Sequence, residues 1–246
     1  MAESHLAQTS RFAREKGLEF RGETHITCTR GRGGRQAAFQ RQKRTRRFIV
    51  QQEDLFSRIH LVLRHDQVLS KDGQTINSSV TQFDLHDFSR LAKTYGLGGF
   101  HCVTPLKEQH RICSEILSFW EKGYGQEYNP DRVHALQLLT LHFSFEDVLE
   151  SVSRQHGGLN PITVGTSAKS SNPEKEIAFK DFSSKIGRSG LPIVVQFGTS
   201  WGLSPEQLDR SDWNLPPVNG LSGYNHLSVR CAAAIIVDRL FMAHQN

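Results

Sequence analysis

The stretch IVVQFGTSWGL, which runs from Ile193 to Leu203, decides the fold of this chain. Its first half is a short run rich in β-branched apolar residues, which predicts a buried strand over residues 193–197. The segment SPEQ at 204–207 follows, and its N-cap serine, N1 proline and N3 glutamine predict that a helix begins there. A short strand is predicted next, over residues 213–215. A strand, a helix and a second strand in succession are typical of a parallel α/β sheet.

The alternation of strands and helices extends toward the N-terminus. Four further strands are predicted, over residues 59–63, 100–103, 138–143 and 161–165. Helices are predicted around residues 88–95, over 106–120, after the Ser144–Asp147 capping box, and over the apolar residues 227–242. We therefore expect an α/β fold with a mostly parallel sheet that is covered by helices on both faces. Because ligands bind outside the carboxyl ends of such strands, the loops that begin at Thr166, Gly198 and Pro216 are expected to carry the chemistry.

Charge divides the chain into two parts. Residues 1–53 carry twelve Lys/Arg and five Asp/Glu, a net of +7, whereas residues 54–246 carry a net of −2. The basic part contains the low-complexity runs 31–35 and 41–47, which predict a disordered N-terminal segment. This segment is either an RNA-binding tail that neutralises phosphates or a solvated tail without a partner. Residues 54–246 are predicted to form the folded domain.

Cysteine spacing and hydropathy exclude several classes of protein. The four cysteines form neither a CxxC pair nor a zinc pattern, and the HExxH zinc signature is absent from the sequence, so we expect no metal site. Free thiols indicate a reducing cytoplasm. The sequence contains no run of about 20 apolar residues, so we expect no membrane partner.

The loop after the 193–197 strand also matches a hydrolase pattern. Gly198-Thr199-Ser200-Trp201-Gly202 fits the GxSxG nucleophile elbow, in which Ser200 would attack the substrate. An elbow requires a helix directly after the serine, but the capping signal places the helix start at Ser204. Only forty-six residues remain to supply an acid and a histidine. The preferred interpretation is that Gly198 and Gly202 bring the backbone close to a ligand or adopt a positive φ.

Two weaker polar clusters each have a structural alternative. His86, Asp87 and Arg90 share one face of a predicted helix, where an arginine fork suits phosphate or carboxylate, but Asp87 and Arg90 could simply form a surface ion pair. Tyr224-Asn225-His226 precedes the last helix, where Asn225 either caps the helix or belongs to a substrate site.

Several short motifs occur in order between residues 57 and 242. They are TQFDLHD at 81–87, Arg90, TYG at 94–96, VTPL at 103–106, GYG at 123–125, YNPDR at 128–132, TSA at 166–168, and the segments 197–203 and 224–230. Together they resemble the bacterial RNA methyltransferase-like family of the SPOUT superfamily, the trefoil-knotted methyltransferases. Residues 1–53 lie outside the resemblance.

The resemblance implies an S-adenosylmethionine-dependent enzyme that methylates RNA, forms a homodimer and carries a deep C-terminal trefoil knot. The implied catalytic residues are Arg90, Asp87, Asn225 and His226, with Asp87 or His226 removing the acceptor proton and Arg90 orienting RNA phosphate or ribose. The implied cofactor-binding residues are Thr166, Ser167, Ala168, Phe197, Gly198, Thr199, Gly202, Leu203, Leu215, Pro216, Leu227 and Ser228. Thr199-Ser200-Trp201 stands where the best-studied members place a glutamate. The alternative is a non-catalytic RNA-binding module that retains the fold.

Overall fold

The computed structural model of the chain describes residues 55–169 and 172–245. The basic segment predicted over residues 1–53 lies outside these ranges, so its character and its boundary with the folded domain stay predictions.

A parallel six-stranded sheet forms the centre of the described chain. The strands are β1 Ile59–Arg64, β2 Val68–Leu69, β3 Thr75–Ile76, β4 Gly99–Val103, β5 Leu139–His142, β6 Ile162–Gly165, β7 Ile193–Gly198 and β8 Trp213–Asn214. The six strands of the sheet follow the order β5-β4-β1-β7-β6-β8, while β2 and β3 form a separate antiparallel hairpin. All six residues of β1 and five of the six in β7 are buried, as expected for central strands covered on both faces.

Helices connect the strands and cover both faces of the sheet. They are α1 Gln82–Thr94, α2 Lys107–Lys122, α3 Gly125–Tyr128, α4 Pro130–Leu136, α5 Phe145–Gln155, α6 Phe179–Lys185, α7 Pro205–Arg210 and α8 Val229–Gln245, with 3-10 turns at Pro173–Lys175 and Gly187–Ser189. On one face, Phe88 of α1, Phe182 of α6 and Ile236 of α8 enter the main core. On the other, Val148 and Val152 of α5 pack against the sheet. The predicted α/β class and parallel sheet are confirmed.

Local sequence signals account for most helix starts. Ser144 and Ser204 form the capping boxes that the sequence predicts, with Asp147 and Gln207 as their partners. The last helix begins at Val229 rather than at Leu227, because the Ser228 hydroxyl accepts a hydrogen bond from the main-chain N–H of Cys231 at 3.3 Å.

Three parts of the described fold were not predicted. One is the β2–β3 hairpin, which turns at Gly73, whose φ is +76°. Another is the segment 123–136, which contains α3 and α4. Helix α6 was also missed. None of the described helices is long and apolar enough to cross a membrane.

Candidate functional site

The loop after β7 has an unusual backbone. Ser200 has a φ of +54° and Gly202 a φ of +93°. A Cβ on Gly198 would lie 2.5 Å from the nitrogen of Leu203 and 2.6 Å from the carbonyl carbon of Gly202. The glycine at 198 therefore makes room for the loop's own backbone rather than for a ligand, which corrects one part of the sequence interpretation. Nothing lies within 4 Å of the position a Cβ would take on Gly202, so the space beside that residue is open.

This loop is held in place by the β2–β3 hairpin and by the end of β1. The main-chain N–H of Trp201 donates to the carbonyl of Leu69, and the N–H of Leu69 donates to the carbonyl of Gly202, both at 3.0 Å. The Thr199 hydroxyl lies 3.0 Å from the Arg64 carbonyl and 2.6 Å from the Ser78 hydroxyl. The loop therefore has one fixed conformation, which the sequence analysis missed because it did not anticipate the hairpin.

The loops after β6 and β8 join the loop after β7 at the same edge of the sheet. The N–H of Leu215 donates to the Gly165 carbonyl at 2.9 Å, and the Thr166 hydroxyl donates to the Gln196 carbonyl at 2.7 Å. The Asn225 amide donates to the Ala168 carbonyl at 2.6 Å, which ties the segment before α8 to the loop after β6. Most of the predicted cofactor-binding residues are thus brought together.

The helix cap that the sequence suggested for Asn225 is provided by Ser228 instead. Ser228 caps α8, and Asn225 bridges two loops, so the capping explanation of Asn225 is wrong. The neighbouring His226 is exposed, and its ring meets the ring of Tyr224 edge-on at 5.2 Å between centroids. Leu227 is also exposed.

A buried polar network that the sequence analysis did not identify supports the strand ends. The Arg64 guanidinium donates to both carboxylate oxygens of Asp66, at 2.9 and 2.6 Å, and to the Gln196 side chain at 3.3 Å. The Gln196 amide in turn donates to the Ser211 hydroxyl at 3.2 Å. Because Arg64 pairs with Gly198 in the sheet register, this network fixes the end of β1 beside the loop after β7. The sequence does contain a signal for this network, because Arg64 is a charged residue at the end of a mostly apolar strand.

Asp87 pairs with an arginine far along the chain. Its carboxylate lies 3.3 Å from Nε of Arg230 on α8, and the Asp84 carboxylate accepts a hydrogen bond from the same guanidinium at 3.0 Å. The expected surface pair between Asp87 and Arg90 is therefore wrong. Arg230 also lies over the exposed ring of Phe83, 5.6 Å from its centroid, so the starts of α1 and α8 are joined.

Arg90 and His86, the other candidates on α1, lie in contrasting environments. Arg90 is exposed, and within residues 55–169 and 172–245 its guanidinium has no hydrogen-bond or ion-pair partner. His86 is buried and meets Trp120 edge-on at 5.4 Å. Burial, followed by the nearby positive charge of Arg132, lowers the pKa of His86, which favours its neutral form.

The geometry does not support a nucleophile elbow. Ser200 is exposed, the following helix begins only at Pro205, and in the described part of the chain no histidine or carboxylate is hydrogen-bonded to the serine hydroxyl. The described residues also contain no group of three or more His, Cys, Asp or Glu side chains that could hold a metal ion.

A chain of four histidines lies on the side of the sheet that α5 covers. Nε2 of His156 lies 2.9 Å from Nε2 of His60, Nδ1 of His60 lies 3.1 Å from Nε2 of His101, and Nδ1 of His101 lies 3.0 Å from Nε2 of His142. Burial lowers the pKa of all four, that of His60 to about 4. Three of them lie on β1, β4 and β5, the half of the sheet away from β6 and β8.

Comparisons with a family model and with related sequences indicate the family of this chain. A family model described as SAM-dependent RNA methyltransferase matches residues 58–242. A protein of Oleidesulfovibrio alaskensis named tRNA (guanine-N(1)-)-methyltransferase is 37% identical over 182 residues, which are 74% of this chain and 41% of the relative. An uncharacterized protein of Aquifex aeolicus is 32% identical over 194 residues, 79% of this chain and 91% of that protein.

The fold is shared with solved structures. A probable methylase family protein from Haemophilus influenzae Rd KW20 superposes with a TM-score of 0.52 at 18% identity, covering 76% of this chain and 66% of that one. A probable methyltransferase from Bordetella pertussis Tohama I gives a TM-score of 0.51 at 12% identity, covering 78% and 98%. At these identities the likeness concerns the fold alone.

Proposed function

The chain belongs to the family of SAM-dependent RNA methyltransferases, and on this premise we propose that it transfers a methyl group from S-adenosylmethionine to a nucleotide of RNA. The observation that carries the proposal is the convergence of the loops after β6, β7 and β8 at the carboxyl edge of the sheet. Hydrogen bonds join these loops from Leu215 to Gly165, from Thr166 to Gln196 and from Asn225 to Ala168.

The residues at this edge fit the adenosyl part of the methyl donor. The main-chain N–H groups of Ser167 and Ala168 have no hydrogen-bond partner within the described residues, so they are available to a polar ligand. The open space beside Gly202 and the buried apolar side chains of Leu203 and Leu215 complete a surface that is partly polar and partly apolar. When bound, S-adenosylmethionine supplies an electrophilic methyl group on a sulfonium centre.

On the donor side, the main task of the chain is positioning. The hairpin bonds through Leu69 fix the loop after β7 before any ligand arrives, and Asn225 fixes the loop after β6. Holding donor and acceptor in line is the largest contribution that such a site can make to the rate. Phe197, Thr199 and Pro216 belong to the same cofactor-binding set, and Leu227 and Ser228 close it at the start of α8.

On the acceptor side, we assign three roles to four residues. Asp87, held by Arg230, and His226, exposed beside Tyr224, are the groups that can take the proton released by the acceptor. Arg90 orients RNA phosphate or ribose, a role that suits an exposed guanidinium without a partner in the described chain. Asn225 acts on the acceptor through the loop that it holds.

The proposed assembly is a homodimer with a knotted C-terminal segment. Exposed apolar side chains cluster where α1 and α8 begin, with Phe83 68% exposed, Tyr224 71% and Leu227 44%, which supports an interface there. The bond from Asn225 to Ala168 shows that the segment before α8 passes beside the loop after β6, which is compatible with a trefoil knot.

An RNA substrate and the buried free thiols of Cys102 and Cys113 support a cytoplasmic location.

Transfer RNA is the first substrate to test, because the curated relative is named for it. The chain spans 41% of the length of that relative, so the modified nucleotide and atom are left for the experiment to identify. The full chain is incubated with S-adenosylmethionine carrying a labelled methyl group and with bulk tRNA or ribosomal RNA, and the RNA is then digested for nucleoside analysis. We expect one labelled nucleoside.

Single-residue variants distinguish the proposed methyltransferase from a hydrolase and from a non-catalytic RNA-binding module. Arg90→Ala should lower transfer roughly 10- to 100-fold, as expected for one lost charged contact, while donor affinity measured by calorimetry stays near normal. Lys93→Ala, an exposed cation one turn further on α1, is the matched control and should leave transfer unchanged. Ser200→Ala should retain substantial transfer, and labelling of Ser200 by a phosphonate would contradict the proposal. A protein that binds the donor and RNA but transfers nothing would instead be a non-catalytic RNA-binding module.

A further inference from the structure

Trp201 lies in an unusual position for so large an apolar side chain. It belongs to the loop after β7, at the edge where the three loops meet, and 62% of its surface is exposed. An aromatic side chain of this kind typically buries 150–250 Å² when it is covered. Exposed aromatic side chains on a fixed scaffold mark surfaces that bind a partner.

The backbone around Trp201 is set before any partner arrives. Ser200, directly before it, has a φ of +54°, a conformation that costs a non-glycine residue about 1–3 kcal/mol. The N–H of Trp201 and the carbonyl of Gly202 both bond to Leu69 at 3.0 Å, and Val68 bridges to Leu203. A flexible loop could fold its indole onto the protein, but this loop is held on both sides of the residue. The main chain that carries the indole is therefore fixed at this edge of the sheet.

We propose that Trp201 is the stacking platform for a nucleobase of the RNA substrate. This proposal rests on the proposed function, because it assumes that the chain binds RNA at this edge. The residues that flank the indole, Ser200 and Gly202, carry no charge, so this part of the loop suits the flat apolar face of a base rather than a phosphate. Every base has such a face, and stacking on an aromatic side chain contributes about 1–3 kcal/mol per base.

The two side chains that flank Ser200 lie in different environments. Thr199 is buried and turned inward, bonded to Arg64 and Ser78, while Trp201 is turned outward. The loop thus has a structural residue and a substrate-facing residue two positions apart.

Four full-length proteins test the proposal. They are the wild type, Trp201→Ala, Trp201→Phe and, as control, Tyr128→Ala, which removes an aromatic side chain of similar exposure on α3. Binding of bulk tRNA is measured directly, without turnover, and donor binding is measured by calorimetry. Trp201→Ala should weaken tRNA binding roughly 5- to 150-fold, the range that corresponds to one stacked base, and Trp201→Phe should recover most of the loss. Donor affinity and the Tyr128→Ala protein should match the wild type.

Fluorescence gives an independent test. Trp201 is one of three tryptophans, and it is far more exposed than Trp120. Stacking on a base should quench tryptophan emission in the wild type, and Trp201→Phe should remove that quenching while tRNA still binds.

The outcomes separate this proposal from the proposed function. If the Trp201→Ala protein binds tRNA with wild-type affinity, the stacking role is overturned even if methyl transfer is confirmed. A parallel loss of donor affinity would overturn it by showing that the indole stacks on the donor's adenine. A change from dimer to monomer in sedimentation would overturn it in favour of a subunit contact. Weakened tRNA binding by Trp201→Ala, in a wild type that transfers no methyl group, would support stacking and refute the enzymatic function alone.

Discussion

Acidification should destabilise the folded chain through its four connected histidines. His60 is fully buried, and burial followed by repulsion from His156 lowers its pKa from 6.5 to about 4. Between pH 6.5 and 4, His60 is therefore protonated in the unfolded chain but neutral in the folded chain. The stability contributed by the neutral ring is complete above pH 6.5 and is lost as the pH falls through 4. For His60 alone the loss is about 2 kcal/mol at pH 5 and about 3 kcal/mol at pH 4.

Urea unfolding followed by circular dichroism between pH 7.5 and 4.5 measures this loss. Replacing His60 with leucine removes the titrating ring, so the dependence of unfolding free energy on pH should fall by about 1 kcal/mol per pH unit between pH 6 and 5. The variant is expected to start from lower stability at pH 7.5, because His101 and His156 lose a hydrogen-bond partner, but the slope is the diagnostic quantity. His134→Gln, at an exposed position of α4, should keep the wild-type slope. An unchanged slope in His60→Leu would refute the reasoning.

Three further predictions concern the loops and the tail. Gly198→Ala should abolish detectable donor binding in calorimetry, because the added Cβ would overlap the backbone nitrogen of Leu203, 2.5 Å away. Ser228→Ala should lower the free energy of unfolding in urea by about 1 kcal/mol through loss of a helix cap, while Asn225→Ala should leave α8 intact in hydrogen exchange. Removing residues 1–53 should leave the melting temperature almost unchanged, and a large drop would contradict this; a tail that binds RNA would in addition show weaker RNA binding after its removal, mainly at low salt, whereas a solvated tail would show none.

Local signals in the sequence predict the sheet and, to within two residues, the starts of four of the eight described helices, α2, α5, α7 and α8. The apolar run at 193–197 and the serine caps at Ser144 and Ser204 act over four or five residues, and the fold does not override them. The segment 123–136 was missed although it carried a usable signal. Asn129 caps α4 with Pro130 at its first position, a pairing that marks a helix start. Gly125 suggests a loop, but it is needed because a Cβ there would lie 2.7 Å from the ring of Trp120.

The contacts that build the site are long-range, so spacing could not predict them. Asp87 was assigned to Arg90 because the two are three residues apart on a helix, yet its partner is Arg230 on another helix. Asn225 precedes a helix and has the composition of a cap, yet it bonds to Ala168 in another loop. The general rule that ligands bind at the carboxyl ends of parallel strands depends on topology alone, so the sequence could predict an edge for the ligand, and that edge stays a prediction.

The position of Arg90 leads to a test of the proposed dimer. Within the described chain the Arg90 guanidinium has no hydrogen bond or ion pair to the loops after β6, β7 and β8, so we expect it to act at the site of the partner protomer. The Arg90→Ala protein alone should keep only the low residual transfer given above, and the Gly198→Ala protein alone should be inactive. If the two chains are co-expressed, half of the dimers are mixed, and each mixed dimer has one site with an intact loop and the partner's intact arginine. Transfer per chain should then recover to about a quarter of the wild-type rate in a symmetric dimer. If Arg90 serves the loops of its own chain, neither site of a mixed dimer is complete, and the co-expressed proteins would show no more than that residual transfer.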